Sequence, residues 1–389
     1  MAARSGRWSK YVGHRYKVQA LCVAINHCFR ATRTGAKTPN NRKGFEGMKR
    51  FVTSLLGSAA LALSVSAASA ATLDDVKAKG EVSCGVHTGL AGFAAPDDQG
   101  NWKGFDSDFC RAVSAAIFGD PDKVRFVPTN ATERFTALQS GEIDLLARNT
   151  TWTLSRDTSL GFNFTGVNYY DGQGFMINAA KLPGINSALQ LSGAAICVQT
   201  GTTTELNLAD YFRANNMEYN PVVFQGFDET NAAYEAGRCD AYTTDQSGLY
   251  ALRLTLANPD EHVVLPEIIS KEPLGPSVRQ GDDQWFDIVK WTLYALIQAE
   301  ELGITQANVE EMKGSDNPEI KRVLGQEPES KIGEMLGLDN DWVAKVIAGV
   351  GNYGEMFERN IGQESPLKIA RGLNQLWTKG GIQYAPPLR

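Results

Sequence analysis

The stretch "ALQSGEIDLLARN", residues 137–149, decides the fold, because it has a near copy in "AYEAGRCDAYTTD", residues 233–245. Each runs from a helix end through a glycine, Gly141 or Gly237, into a strand marked by an aspartate, Asp144 or Asp240. Five positions after each aspartate stands a polar residue, Asn149 or Asp245. Helix, turn glycine and β-rich run in that order are part of an α/β unit, so the chain carries two such units in tandem. Ligands of parallel α/β sheets bind beyond the carboxyl ends of the strands, which places Asn149 and Asp245 on matching edges of a shared cleft.

Working outward, "VSCGV" (82–86), "DSDFCRAVSAAIFG" (106–119) and "VRFVPT" (124–129) lead into the first copy. "GFMIN" (174–178), "AAICVQ" (194–199), "TELNLADYFRANN" (204–216) and "PVVF" (221–224) lead into the second. The alternation of β-rich runs with amphipathic helices predicts an α/β fold of two lobes, each a mostly parallel sheet flanked by helices. "NFTGVNYYDGQGF" (163–175) and "EIISKEPLGPSVRQGD" (267–282) read as extended, and Pro273 and Pro276 oppose helix in the second. Two such crossovers between lobes make a hinge. The expected division is lobe 1 at 71–171 and 272–389, the latter including a C-terminal helical arm, and lobe 2 at 172–271.

Residues 48–70, "MKRFVTSLLGSAALALSVSAASA", have the form of a Sec-type signal peptide: Lys49 and Arg50, an apolar run, and Ala68-Ser69-Ala70 as the cleavage site. Residues 1–47 then stand upstream of a signal and read as a non-native extension with Met48 as the natural start. Beyond residue 70 the chain has 26 basic and 43 acidic residues, a net charge near −17, which repels nucleic acid and anionic lipid. No later stretch is apolar enough to span a membrane, so a soluble exported product is expected. Cys84, Cys110, Cys197 and Cys239 remain, an even number that suggests disulfides and permits three pairings. Pairing within each lobe, Cys84 with Cys110 and Cys197 with Cys239, leaves the hinge free. Without a Cys-x-x-Cys and with scattered histidines, no metal site is expected.

Three clusters carry the chemistry. In "RNTTWTLSR" (148–156), the guanidinium of Arg156 can hold a carboxylate bidentately with Thr151 donating alongside, or make an ordinary ion pair with Asp157 or Asp144. In "QTGTTTE" (199–205), Thr202 and Glu205 have capping-box spacing. The helix-start amides, with the hydroxyls of Thr202 and Thr203, attract an anion or serve only their own helix. Asp245 can meet an ammonium group or cap the helix that follows. A cation and hydroxyls on one lobe, opposite amides and an anion on the other, make a receptor for a zwitterion.

"GFDSDFCRAV", "FTALQSGEIDLLARNTTWTLSRD", "TGTTTE" and "CDAYTTDQSGLY" together resemble the polar amino-acid family of periplasmic solute-binding proteins of ABC importers, over residues 72–389. The resemblance implies a type II periplasmic-binding-protein fold and a periplasmic receptor, without cofactor, that captures L-amino acids of broad side-chain range. It would deliver them, as a monomer, to an ABC permease in the inner membrane. It also implies that Arg156 and Thr151 hold the α-carboxylate together with Thr203, that Asp245 holds the α-amino group, and that Asn149 lies beside that group. His87 and Leu90 stand where cation-specific relatives carry an acid and a tyrosine, and the usual stacking aromatic falls near Ala131. The side-chain wall is therefore open to His87, Leu90, Phe93 or Trp152. No Ser-His-Asp or Cys-His arrangement points to an enzyme; His87 is a loose candidate for a base.

Overall fold

The computed structural model describes residues 71–389; the expected extension and signal peptide lie outside the described residues. After helix α1 (Thr72–Lys79), the first lobe builds β1 (Val82–His87), α2 (Phe105–Phe118), β2 (Val124–Thr129), α3 (Glu133–Ser140), β3 (Leu145–Leu146) and β4 (Phe162–Phe164). β5 (Tyr169–Asp171) crosses over. The second lobe contains β6 (Gln173–Asn178), β7 (Ala195–Gln199), α4 (Thr203–Ala214), β8 (Asn220–Phe224), α5 (Phe227–Glu235), β9 (Ala241–Asp245), α6 (Gln246–Arg253) and β10 (His262–Val264). β11 (Glu272–Leu274) returns, β12 (Ser277–Arg279) completes the first sheet, and the chain continues into α7 (Asp283–Glu301), α8 (Trp342–Val350) and α9 (Tyr353–Asn360).

The two five-stranded sheets have the orders β2-β1-β3-β12-β4 and β8-β7-β9-β6-β10. In each, the first three strands are parallel and the fourth runs against both neighbours. That reversed strand is the segment that has just arrived from the other lobe: β6 follows the first crossover and β12 the second. The crossovers pair antiparallel with each other, Glu272 opposite Asp171 and Leu274 opposite Tyr169.

Side chains of the second sheet alternate between two cores, as a period of two requires. Phe175, Ile177, Ile196, Val198 and Ala241 face Leu208 and Phe212 of α4. Met176, Cys197 and Tyr242 face Tyr234 and Leu249. In the first lobe Val82, Cys84 and Val86 face a larger core that takes in Trp285, Trp342, Tyr353 and Phe357 of the C-terminal helices. Helix α7 is docked at its start: Asp282 accepts from the amides of Trp285 (2.9 Å) and Thr72 (2.7 Å), and Trp285 Nε1 donates to the carbonyl of Asp144 (2.8 Å).

The repeat glimpsed in the sequence has a structural basis. Asp144 Oδ2 accepts from the amide of Ser83 (3.0 Å), and Asp240 Oδ2 accepts from the amide of Ala195 (2.7 Å). Each aspartate thus ties the start of its strand to the neighbouring parallel strand. Asp144 pairs with Lys79, so it is no partner for Arg156. Two local expectations change. The residues from Ser155 to Ser159 form one π turn instead of a longer helix, and Cys239 precedes β9 instead of lying on a strand.

Both disulfides stay within a lobe: Cys84–Cys110 joins β1 to α2 with Cα atoms 6.1 Å apart, and Cys197–Cys239 ties β7 to the approach of β9 at 5.6 Å. They close loops of sequence separation 26 and 42. Replacing the cysteines of either pair by serine is expected to cost about 2–4 kcal/mol in denaturant unfolding. Peptide mapping of oxidised protein should recover these two pairs; a bridge linking residues of different pairs would contradict the arrangement.

Candidate functional site

The lobe 1 edge is shaped by one turn. Asn149 has φ 30°, in the left-handed region that asparagine tolerates better than most residues, and its amide donates to Asp106 Oδ2 at 2.8 Å. Asp106 sits in the first turn of α2, and burial pushes its pKa up to about 6 against the opposing pull of the Asn149 amide, the Asn168 side chain and Arg148. The turn ends β3 after two residues and throws Arg148 to Thr151 across the strand ends. Thr151 then bridges to Leu274, while the amides of Gly275 and Trp152 donate to Thr150 and Pro273 carbonyls. The hydroxyl cluster is thereby stitched to the second crossover.

Three arginines are buried behind and within this edge. Arg134 Nη1 donates to the Arg148 carbonyl (3.3 Å) and to Thr150 Oγ1 (3.1 Å), and Arg156 Nη1 donates to the Thr151 carbonyl (2.8 Å). The guanidinium carbons of Arg134 and Arg156 lie 4.7 and 5.0 Å from the Phe135 ring, a cation–π arrangement that covers buried charge. Burial lowers all three pKa values, to about 10 for Arg148 and Arg156 and well below the usual value for Arg134. Arg134 Nε and Arg148 Nη2 are buried without a hydrogen-bond partner. Arg156 makes no ion pair with Asp157, which instead accepts from Trp152 Nε1 at 3.0 Å.

On lobe 2, β7 ends at Gln199 and the chain turns at Gly201, with φ 75°. A Cβ there would lie 2.4 Å from the Thr132 methyl of lobe 1, so glycine permits the close approach of the lobes. Thr202 caps α4 by accepting from the amide of Glu205 at 3.1 Å. The Glu205 carboxylate reaches past Thr202 to the amide of Gly201 (3.0 Å) and the hydroxyl of Thr200 (3.0 Å), so the reciprocal half of the expected capping box is displaced by one residue. The first amides of α4, which have no acceptor within their own helix, remain for an anion.

Asp245 ends β9 and makes no side-chain cap to α6. Its Oδ1 is buried without a partner, and its Oδ2 is reached only by Asn149 Nδ2 at 3.5 Å, the outer limit of a hydrogen bond. Burial raises its pKa well above the ordinary carboxylate value, and the charges of Asp171 and Glu272 add to the effect. A buried carboxylate with an idle oxygen is costly, which marks the position as one that expects a partner.

The space between the lobes is lined by residues of both, among them His87, Leu90, Arg134, Arg148, Phe227 and Asp245. Asn149, Thr151, Thr202 and Thr203 also line it. His87 is held neutral by burial and by the nearby Arg148 and Arg134; its Nδ1 accepts from the Gly89 amide (3.0 Å) and its ring stands edge-on to Phe227 with centroids 4.7 Å apart. Two of the expected wall residues are elsewhere. Phe93 packs edge-on against Tyr169 in the lobe 1 core, where 1% of it is exposed. Trp152 is 37% exposed and stacks on Phe164. Arg156 stands behind Thr151 and outside the immediate lining, with Nε and Nη2 making no hydrogen bond among the described residues.

The hydroxyls of Thr151 and Thr203 meet across the cleft at 3.2 Å, and both lie within donating distance of Glu272 Oε2, at 2.6 and 2.8 Å. A hydroxyl has one proton, so in this arrangement the protons of Thr151 and Thr203 are directed to Glu272 and each hydroxyl presents its lone pairs to the cleft. Arg134, Arg148, Phe227 and Glu272 escaped the sequence reading. Arg134 and Phe227 resemble ordinary members of amphipathic helices, Arg148 hid within a conspicuous polar cluster, and Glu272 lies in a loop-like stretch of mixed polarity. Only the near-copy spacing that found Asn149 and Asp245 offered a signal for the strand ends.

Such a site, built from the facing strand ends of two hinged lobes, defines a solute-binding protein. The chain matches bacterial extracellular solute-binding proteins, family 3, over residues 82–307, and it belongs to that family. It is 74% identical over 340 residues to the general L-amino acid-binding periplasmic protein AapJ of Rhizobium johnstonii, covering 87% of this chain and 99% of that one. It is 58% identical to the glutamate/glutamine/aspartate/asparagine-binding protein BztA of Rhodobacter capsulatus, with 87% and 99% covered. A solved ABC transporter periplasmic binding protein from Brucella ovis with glutathione bound shares 73% identity at a TM-score of 0.81, covering 82% of this chain and all of that one.

The buried acids make stability pH-dependent. Asp171, which accepts from the Gly172 amide and the Ser247 hydroxyl, is raised by burial from 3.8 to about 6. An acid that binds its proton more tightly when folded contributes stability below its unfolded pKa and loses it as pH rises through the folded one. Between pH 4 and 6.5, denaturant titrations should therefore show a falling contribution from Asp171, and Asp171→Asn should flatten that part of the profile; an unchanged slope would count against it.

Proposed function

We propose that this protein is the periplasmic substrate-binding component of an ABC importer. It acts as a monomer that captures L-amino acids of broad side-chain range between two closing lobes and hands them to a permease in the inner membrane. Export by the signal at residues 48–70, cleaved near Ala71, completes this reading. The observation that carries it is the idle oxygen of Asp245 facing guanidinium groups across the cleft. An α-ammonium group would give the buried carboxylate its counter-charge, with Asn149 alongside. The α-carboxylate would take the free nitrogens of Arg156 and the starting amides of α4, around Thr202 and Thr203. The ligand's side chain would then lie toward His87, Leu90 and Phe227.

Arg134 and Arg148 deepen the reading. Two further guanidiniums, each with a buried unpaired nitrogen, favour a second carboxylate over a second ammonium. Acidic and amide side chains should therefore bind more tightly than basic ones. The name of the R. capsulatus relative supports the same class of ligand, and that of the R. johnstonii relative supports L-amino acids in general. Binding rather than catalysis is proposed because His87, the candidate base, is tied through Nδ1 to a backbone amide.

Calorimetry against a panel of amino acids tests the proposal. Arg156→Ala should weaken every amino acid by roughly tenfold to a hundredfold, the value of charge-assisted hydrogen bonds of about 1.5–3 kcal/mol. Arg134→Met should weaken glutamate and aspartate more than leucine. The 2-oxo acid, which lacks the ammonium, should fail to raise the melting temperature, and its stabilising the protein as well as the amino acid does would refute the role of Asp245. Because ionised Asp245 is the form that meets an ammonium, affinity should fall as pH drops through its raised pKa, and Asp245→Asn should bind weakly at every pH.

A further inference from the structure

We propose that Glu272 is a positioning residue, a latch on the second crossover that holds the two lobes in the ligand-embracing arrangement. Glu272 is 1% exposed, and its carboxylate accepts four hydrogen bonds from three parts of the chain. Oε2 takes the hydroxyls of Thr151 of lobe 1 (2.6 Å) and Thr203 of lobe 2 (2.8 Å). Oε1 takes Asn207 Nδ2 of α4 (2.7 Å) and the hydroxyl of Ser270 on the crossover itself (2.6 Å). The backbone that presents this carboxylate is fixed by pairing with Asp171 of the first crossover.

A carboxylate buried this deeply is tolerable only while donors fill its lone pairs, and losing one donor leaves an uncompensated charge. Two of its donors, Thr151 and Thr203, come from opposite lobes and share one oxygen. Opening the cleft draws those hydroxyls apart and strips Oε2 of a donor, whereas closure restores both. The carboxylate therefore biases the hinge toward closure, independent of what the cleft contains.

It also orients the two hydroxyl protons away from the ligand. The lone pairs of Thr151 and Thr203 are then what each hydroxyl can offer the cleft, so the grip on a ligand carboxylate passes to guanidinium and amide groups. The inference rests on the amino-acid-receptor reading for its ligand but not for its hinge.

Because Glu272 is not among the residues that line the cleft, its loss should act equally on ligands whose side chains carry no charge, whereas acidic ligands also respond to the charge removed near Asp245. Apparent affinity scales with the fraction of molecules in the binding-competent state, so Glu272→Gln is expected to weaken glutamine and leucine by a common factor of roughly tenfold. Dissociation should quicken by a similar factor. By small-angle scattering the ligand-free variant should be more expanded than ligand-free wild type, while the ligand-saturated forms coincide. Asn207→Ala, which removes one donor from the surface of α4, should show the same pattern in milder form and guards against a poorly folded first variant. Equal radii of the ligand-free proteins, or a loss confined to one class of side chain, would overturn the latch. The scattering comparison uses no ligand, so it judges the latch even where the amino-acid panel fails, which would count against the receptor reading alone.

Discussion

Everything in this molecule hangs on one short antiparallel ladder, Tyr169–Asp171 against Glu272–Leu274. Through it the chain leaves one sheet and returns to it, and each passage delivers the strand that runs against its neighbours in the sheet it enters. Neither sheet is complete without a strand from beyond the crossover. The lobes are therefore joined through the fourth strand of each five-stranded sheet, and the crossovers lie beside the strand ends that line the cleft, where Thr151 bridges to Leu274. The same ladder anchors the hydroxyl cluster, since Thr151 bridges to Leu274 and the neighbouring amides bond to the crossover.

That placement explains why so much charge is buried at one point. Arg134, Arg148 and Arg156 come from lobe 1, Asp245 from lobe 2, and Asp171 and Glu272 from the two crossovers. Opposite signs lie close enough to moderate one another's pKa values, yet buried atoms of Arg134, Arg148 and Asp245 stay unpaired. Glu272, by contrast, is fully engaged. In the reading proposed above, the difference separates two jobs: groups with idle donors or acceptors wait for a ligand, and the satisfied carboxylate organises the hinge. Stability is sacrificed at the first kind of position, since desolvated charge without a partner destabilises the fold until something binds.

Much of this was legible in the chain itself. The repeated helix–glycine–strand pattern revealed two α/β units, and its aspartates, Asp144 and Asp240, each accept from an amide of the neighbouring parallel strand. The extended, glycine- and proline-marked segments announced the crossovers, because a proline in the interior of a segment removes a helical hydrogen bond and clashes with the preceding turn. Asn149 and Asp245 were found by equal offset from a strand, a local measure that survives folding. Aromatic residues were read less well: Phe93 and Trp152 pack against Tyr169 and Phe164, while Phe227 faces His87 in the cleft. Nothing in the local pattern distinguishes an aromatic that meets the core from one that meets a ligand.

The sequence by itself determined the two α/β units, the crossovers that link them, and the polar residues that end the strands. These follow from periodicity, turn chemistry and spacing, which act over a few residues. Tertiary structure alone decided which charges meet. Glu272 touches Thr151, 121 residues away, and Thr203, 69 residues away, and Asn149 reaches Asp245 across 96. Burial and electrostatic pairing act through space, so the partners of a carboxylate, and whether its oxygens are filled or idle, are fixed only once both lobes have folded and come together.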